Sequence, residues 1–122
     1  MARILIIDDQ TAVRNSLRAL LERAGYEVDD AGDGRAGLRL HAARPVDVII
    51  TDLFMPDFDG IETILELRRA YPAVKIIVIS GGDSTGRLDM RTQAQLLGAH
   101  RTFPKPLQTQ ELLNAVRELL AP

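Results

Sequence analysis

The chain has 122 residues with 15 basic and 17 acidic side chains, a net charge of −2, and no cysteine. That length is one domain, large enough to bury a single hydrophobic core without covalent staples. The missing cysteines exclude disulfides, zinc–thiolate sites and thiol chemistry, and the absent surplus of Lys and Arg argues against nucleic acid as a partner. Only two of the basic residues are lysines, Lys75 and Lys105.

Along the chain, short apolar runs alternate with helical patterns. Ile4–Ile7 reads as a first strand that runs into Asp8-Asp9 rather than into a secretory core. No later apolar stretch is long enough to span a membrane, so a cytoplasmic, membrane-free domain is expected. Val13, Leu17, Leu20, Leu21 and Ala24 then recur at helical spacing, and Gly25 stops that helix. Tyr26–Val28 is a second strand, followed by Asp29-Asp30. Ala36, Leu40 and Ala43 mark a second helix before Pro45, and Val46–Ile50 a third strand. Ile61, Ile64 and Leu65 mark a third helix, ended by Tyr71-Pro72, with Arg68-Arg69 on its solvated face. Val74–Ile79 is the fourth strand. Asp83–Leu97 is a polar, weak helical pattern with Met90, Ala94 and Leu97 in register. Arg101–Pro104 is a short fifth strand, and Leu112, Leu113, Val116, Leu119 and Leu120 mark the last helix. His41 and His100 are expected at the surface, without metal-ligand company.

Five strand–helix units in succession imply an α/β domain, a five-stranded parallel sheet with helices on both faces. The first, third and fourth strands are nearly continuous Val and Ile, as strands covered on both faces are. The two polar strands then lie outside, giving the order 2-1-3-4-5.

In such a sheet the site forms at the carboxyl ends of the strands, where the order reverses. Asp8 and Asp9 follow the first strand, Asp52 the third, Ser80-Gly81-Gly82 the fourth and Lys105-Pro106 the fifth. Each has a plainer reading alone: Asp9 as a helix cap, Asp52 as a turn residue, Ser80 as a strand-end hydroxyl, Lys105 as solvated surface. Their conjunction at one sheet edge decides against those readings. Carboxylates about 4 Å apart repel by on the order of 4 kcal/mol per pair at an effective dielectric near 20. A hard cation such as Mg²⁺ removes that repulsion. A carboxylate can also accept a phosphoryl group, a transfer that needs positive charge and positioning, for which Lys105, Ser80 and the Gly81-Gly82 backbone are suited.

Over its full length the sequence resembles the receiver domain of two-component response regulators. The resemblance rests on Ile6-Ile7-Asp8-Asp9, Asp52-Leu53-Phe54-Met55-Pro56-Asp57-Phe58-Asp59-Gly60, Ile79-Ser80-Gly81, Leu97-Gly98-Ala99 and Phe103-Pro104-Lys105-Pro106. It implies the flavodoxin-like receiver fold, with Asp52 taking a phosphoryl group from a histidine kinase or a histidine phosphotransfer protein. It further implies Mg²⁺ held by Asp9, Asp52 and the Phe54 carbonyl, with Asp8 reaching it through water. Lys105, aimed inward by a cis peptide before Pro106, and Ser80 would contact the phosphoryl oxygens. Gln10, Thr11, Arg14, Asn15, Arg18 and the Pro106-Leu107 loop would flank the phosphodonor.

Three features depart from the family pattern. Thr102 occupies the place where an aromatic switch residue usually stands. The stretch from Ser80 to Lys105 is a few residues longer than usual, with the extra length expected in Gly82–Arg87. No output domain follows the last helix before Pro122, so residues 1–122 read as a stand-alone receiver that signals through a downstream protein or relays the phosphoryl group. The alternative is a non-phosphorylated pseudo-receiver serving only as an interaction module. A phosphate- or nucleotide-binding protein on the same sheet is disfavoured, because Asp8-Asp9-Gln10 is the electrostatic opposite of a phosphate-binding loop. A DNA-binding regulator is disfavoured because no helix-turn-helix remains.

Overall fold

The strongest apolar runs form the centre of the sheet because their alternate residues serve two separate cores. The computed structural model describes residues 2–53, 60–80, 95, 98–105 and 107–121. It contains β1 (Arg3–Ile7), α1 (Thr11–Arg23), β2 (Glu27–Ala31), α2 (Gly34–Ala43), β3 (Val48–Asp52), α3 (Gly60–Ala70), β4 (Lys75–Ser80), β5 (Arg101–Pro104) and α4 (Thr109–Leu120). All pairings are parallel, and the strand order is β2-β1-β3-β4-β5, as the polarity of the outer strands implied. Leu5, Ile7, Ile49, Ile76 and Val78 pack with Ile64 and Leu67 of α3. Ile4, Ile6, Val48, Ile50, Ile77 and Ile79 face the other way, against Leu17 and Leu21 of α1 and Leu112 and Val116 of α4. The two-residue strand period makes both layers apolar at once. The expected helix over 83–97 falls largely outside the described residues, as does the lengthened 82–87 segment.

Local signals set several boundaries. α1 ends where Gly25 adopts φ +101° and its N–H reaches the Glu22 carbonyl. Asp33 caps α2 by accepting from the Ala36 N–H at 2.8 Å. Gln10, and not Asp9, stands at the start of α1. Among the described residues, no helix is long and apolar enough to cross a membrane.

Four sequence expectations need correction. In α3 the core residue is Leu67, fully buried beside Ile64, whereas Leu65 is 47% exposed because one residue step turns it about 100° from Ile64. Arg68 does not lie on a solvated face. Its guanidinium donates to the carbonyls of Pro72 and Val74, its side chain runs under Gly98, and its Nε is buried without a partner. Arg69 is the exposed member, paired with Glu66.

The histidines are not surface groups either. His41 is buried, its Nδ1 accepts from the Val46 N–H at 3.0 Å, and its ring meets Tyr71 edge-on at 4.5 Å. His100 is half-buried, and its Nδ1 accepts from the Ile76 N–H at 3.1 Å. Both rings therefore carry their proton on Nε2. Burial lowers the pKa of each, and for His100 the nearby charges of Arg68, Lys75 and Arg101 lower it further. Finally, β2 extends through Asp29 and Asp30 to Ala31, so the acidic pair belongs to the strand.

Two measurable consequences follow. Acceptance of a proton by either imidazole breaks its bond to the backbone, and the folded pKa values lie below the unfolded value near 6.5. The unfolded chain therefore binds more protons, and stability falls as pH drops below about 6.5. The urea midpoint should decline between pH 7 and 5.5. The decline should flatten in His41→Asn/His100→Asn, whose amide oxygens replace the acceptors without titrating. Gly37 of α2 tests the packing: a Cβ there would lie 2.7 Å from Cγ1 of buried Ile7. Alanine favours helix by about 1 kcal/mol, but overpacking a core costs about 1–3 kcal/mol. Gly37→Ala should therefore destabilise the fold, and adding Ile7→Val should recover part of the loss.

Candidate functional site

Asp8 and Asp52 are carried by neighbouring strands, one residue past β1 and at the last position of β3, where the sheet order reverses. Every residue of β3 is buried, so Asp52 is held at 5% exposure by its own strand and by the Leu53 N–H bond to the Ile79 carbonyl, 3.0 Å. The Thr51 hydroxyl also donates to the Asp52 carbonyl at 3.0 Å. Asp8 is 2% exposed; its N–H reaches the Ala31 carbonyl and its Oδ1 accepts from the Gln10 N–H at 2.8 Å. Asp9 is exposed. Carboxylate oxygens of Asp8, Asp9 and Asp52 lie within 4.8 Å of one another.

One ammonium group enters this cluster. Lys105, immediately after β5, places Nζ 3.1 Å from Asp52 Oδ2 and 3.8 Å from Asp8 Oδ2. Three ionised carboxylates and one ammonium leave a local charge of about −2, which a dication neutralises. The donor set is all oxygen, carboxylate-rich and partly open through Asp9, which fits Mg²⁺ with retained waters better than a softer metal. Asp8, Asp9 and Asp52 are the residues that would hold it.

The electrostatics bear out the strain of the arrangement. Burial is the main force lifting the Asp8 carboxyl above its ordinary range, and the charges of Asp52 and Asp9 add to it. The Gln10 N–H and Lys105 pull in the opposite direction without cancelling it.

The structure thus brings together Asp8, Asp9, Asp52 and Lys105 from three separate sequence segments. Ser80 ends β4 in register with Pro104, one residue before Lys105. Its hydroxyl, the Phe54 carbonyl, Gly81, Gly82 and the peptide before Pro106 lie outside what the structure describes. Arg14 and Arg18 are not free surface cations. Arg14 Nε lies 3.3 Å from Asp30 Oδ1 and Arg18 NH1 lies 2.7 Å from Asp30 Oδ2. Arg14 NH1 also donates to the Asp8 carbonyl at 2.7 Å. Sequence reasoning missed this contact. The available signal was Asp30 on a strand beside a helix carrying two arginines four residues apart.

Asp8 supplies a test of the electrostatics. Native protonation of a carboxyl with a raised pKa is a stabilising term present below the unfolded value of 3.8 and lost as pH rises through the native value. At pH 7 the buried charge therefore opposes folding. Asp8→Asn, which keeps an acceptor for Gln10, should raise the urea midpoint at pH 7 in EDTA. The gain should shrink as the pH is lowered through the acid range. A gain that grows toward acid pH contradicts the assignment.

Comparison with known proteins extends the reading to the whole chain. A family profile described as "Response regulator receiver domain" matches residues 4–117. A curated relative named response regulator MprA, from Mycolicibacterium vanbaalenii, is 40% identical over 118 residues, covering 97% of this chain and 50% of the relative. The chain thus spans about half the length of the curated relatives it matches. A response regulator receiver domain protein from Clostridium thermocellum superposes with a TM-score of 0.89 at 30% identity, covering 98% of this chain and 94% of that one. The response regulator TrrA from Thermotoga maritima, solved in complex with Mg²⁺ and BeF, gives a TM-score of 0.83 at 32% identity, covering 98% and 100%.

Proposed function

Since this chain belongs to the response regulator receiver domains of two-component systems, we propose that it accepts a phosphoryl group on Asp52 in an Mg²⁺-dependent transfer. The donor is the phosphohistidine of a histidine kinase or of a histidine phosphotransfer protein. One observation carries this reading: within the Asp8–Asp9–Asp52 cluster, whose oxygens lie within 4.8 Å, Asp52 stands nearer the Lys105 ammonium, at 3.1 Å against 3.8 Å for Asp8.

An Asp52 oxygen attacks phosphorus as the P–N bond to the donor imidazole breaks, and the imidazole leaves with the bonding electrons and takes up a proton. Bound Mg²⁺ supplies charge neutralisation and orientation for the phosphoryl oxygens. On the other side, Lys105 exchanges part of its contact with Asp52 for the incoming oxygens, holding them by a fixed positive charge in a partly buried site. Asp8, Asp9 and Asp52 would hold the metal, and the Phe54 carbonyl would serve as a further ligand. The Ser80 hydroxyl donates to the acylated phosphate, and the resulting movement switches the surface read by a downstream protein.

The donor has a place to dock. A groove of about 390 Å³ lies between α1 and the residues after β5, lined by Val13, Ser16, Leu17, Leu20 and Leu107, and it reaches Lys105. An apolar helix face seated there brings a phosphohistidine toward Asp52. On this reading residues 1–122 form one receiver unit, working in the cytoplasm where its kinase holds phosphohistidine. The filled set of acidic and ammonium positions disfavours a pseudo-receiver.

Incubation with acetyl phosphate and Mg²⁺ should add one phosphoryl group by intact-mass measurement, and EDTA should abolish the addition. Asp52→Asn should take up none, and Lys105→Ala should slow labelling by about 100-fold. One phosphoryl group on Asp52→Asn would place the acceptor elsewhere, and an unlabelled wild type would favour the interaction-module alternative.

A further inference from the structure

The edge strand β2 carries a partly buried route to the acidic site. Arg14 Nε lies 3.3 Å from Asp30 Oδ1 as an ion pair, and Arg14 NH1 donates to the main-chain carbonyl of Asp8 at 2.7 Å. Arg14 NH2 adds a bond to the Thr11 hydroxyl at 3.2 Å. The side chains of Arg14 and Asp30 are 18% and 25% exposed, so water competes weakly for these contacts. Arg18 NH1, 2.7 Å from Asp30 Oδ2, holds the other carboxylate oxygen and so fixes the carboxylate plane.

The geometry points to Arg14 as a positioning residue for the metal ligands: braced by Asp30, it clamps the Asp8 carbonyl and thereby sets where the Asp8 and Asp9 carboxylates stand. This inference rests on the reading of Asp8, Asp9 and Asp52 as an Mg²⁺ site.

The physical need for such a clamp follows from repulsion. The carboxylates of Asp8 and Asp9 repel that of Asp52, and the turn they begin, between β1 and α1, lies beyond the buried frame of the strand itself. The Asp8 carboxylate already spends Oδ1 on the Gln10 N–H, and its own N–H is tied to Ala31. Its carbonyl is the remaining main-chain handle on that peptide, and Arg14 occupies it. Three contacts made at once to a carbonyl, a carboxylate and a hydroxyl require the planar fork of a guanidinium; a single ammonium on a flexible stem cannot make all three. Asp30 together with Glu22 balances the charges of Arg14 and Arg18, so the clamp adds little net positive charge to compete with a dication.

Groups that orient metal ligands from behind typically alter metal affinity by about 10–100-fold when replaced. Arg14→Lys keeps the charge and loses the fork, so it should raise the Mg²⁺ concentration for half-maximal binding by about tenfold, read by isothermal titration calorimetry. Acetyl-phosphate labelling should show the same rise in half-saturating Mg²⁺, while the rate at saturating Mg²⁺ stays within about twofold of wild type, as expected for an effect on ligand placement rather than on transfer. Asp30→Asn should shift both curves in the same direction, and it carries the test if Arg14→Lys melts too early to titrate. Arg3→Gln, which breaks an exposed β1–β2 ion pair with Glu27 at the far end of the same strands, should leave them in place. A wild-type Mg²⁺ curve with both Arg14→Lys and Asp30→Asn, whatever their melting temperatures, overturns the clamp and leaves the site reading standing. Absence of Mg²⁺ binding by the wild type overturns both.

Discussion

Repulsion among Asp8, Asp9 and Asp52 is the constraint around which the rest of the molecule is organised. At separations within 4.8 Å each ionised pair opposes the arrangement by on the order of 3 kcal/mol at an effective dielectric near 20. Lys105 relieves part of this and cannot relieve all of it, since one ammonium faces three carboxylates. A loop bearing these groups would simply spread. They stay together because Asp8 and Asp52 extend from two adjacent strands whose other residues are almost wholly buried, so moving either carboxylate means dragging β1 or β3 through close-packed side chains. The apolar centre of the sheet acts as the frame that keeps unfavourable charges in register.

The opposite edge of the sheet shows how that frame is tied at its base. His41 accepts the Val46 N–H just before β3, and His100 accepts the Ile76 N–H near the start of β4. Arg68 holds the Pro72 and Val74 carbonyls on the approach to β4. Each bond satisfies a main-chain group that the parallel ladder leaves without a strand partner. Polar side chains therefore end the central strands at both edges, with opposite electrostatic outcomes. At the base the two histidines each accept one backbone N–H, and Arg68 donates to two backbone carbonyls. At the carboxyl edge the charges are mismatched by two, and that mismatch suits the edge to a dication.

Much of this was legible in residue order. The two-sided apolar runs implied the central strands, the charged Tyr26–Asp30 and short Arg101–Pro104 segments implied the edges, and strand order followed. Asp8, Asp9, Asp52 and Lys105 were recognisable because topology sends all strand ends of a parallel sheet to one place. Leu65 misled because it is as apolar as Leu67; periodicity in a short helix does not decide between two leucines two residues apart. His41 and Arg68 were misjudged because residue type argues for exposure unless a partner is present, and the partners arrive from a turn and a neighbouring strand.

The sequence by itself therefore determined the layered α/β fold, its strand order and the four charged groups gathered at one edge, all properties set by pattern along single elements. Tertiary structure alone decided that Arg14 is anchored to Asp30 and clamps the Asp8 carbonyl, that His41 is buried while His100 and Arg68 are half-buried on backbone partners, and that Leu65 faces solvent. The physical reason is that a pattern reports the face a side chain occupies on its own element. Its charge state, burial and bonding depend on what the neighbouring elements place against that face.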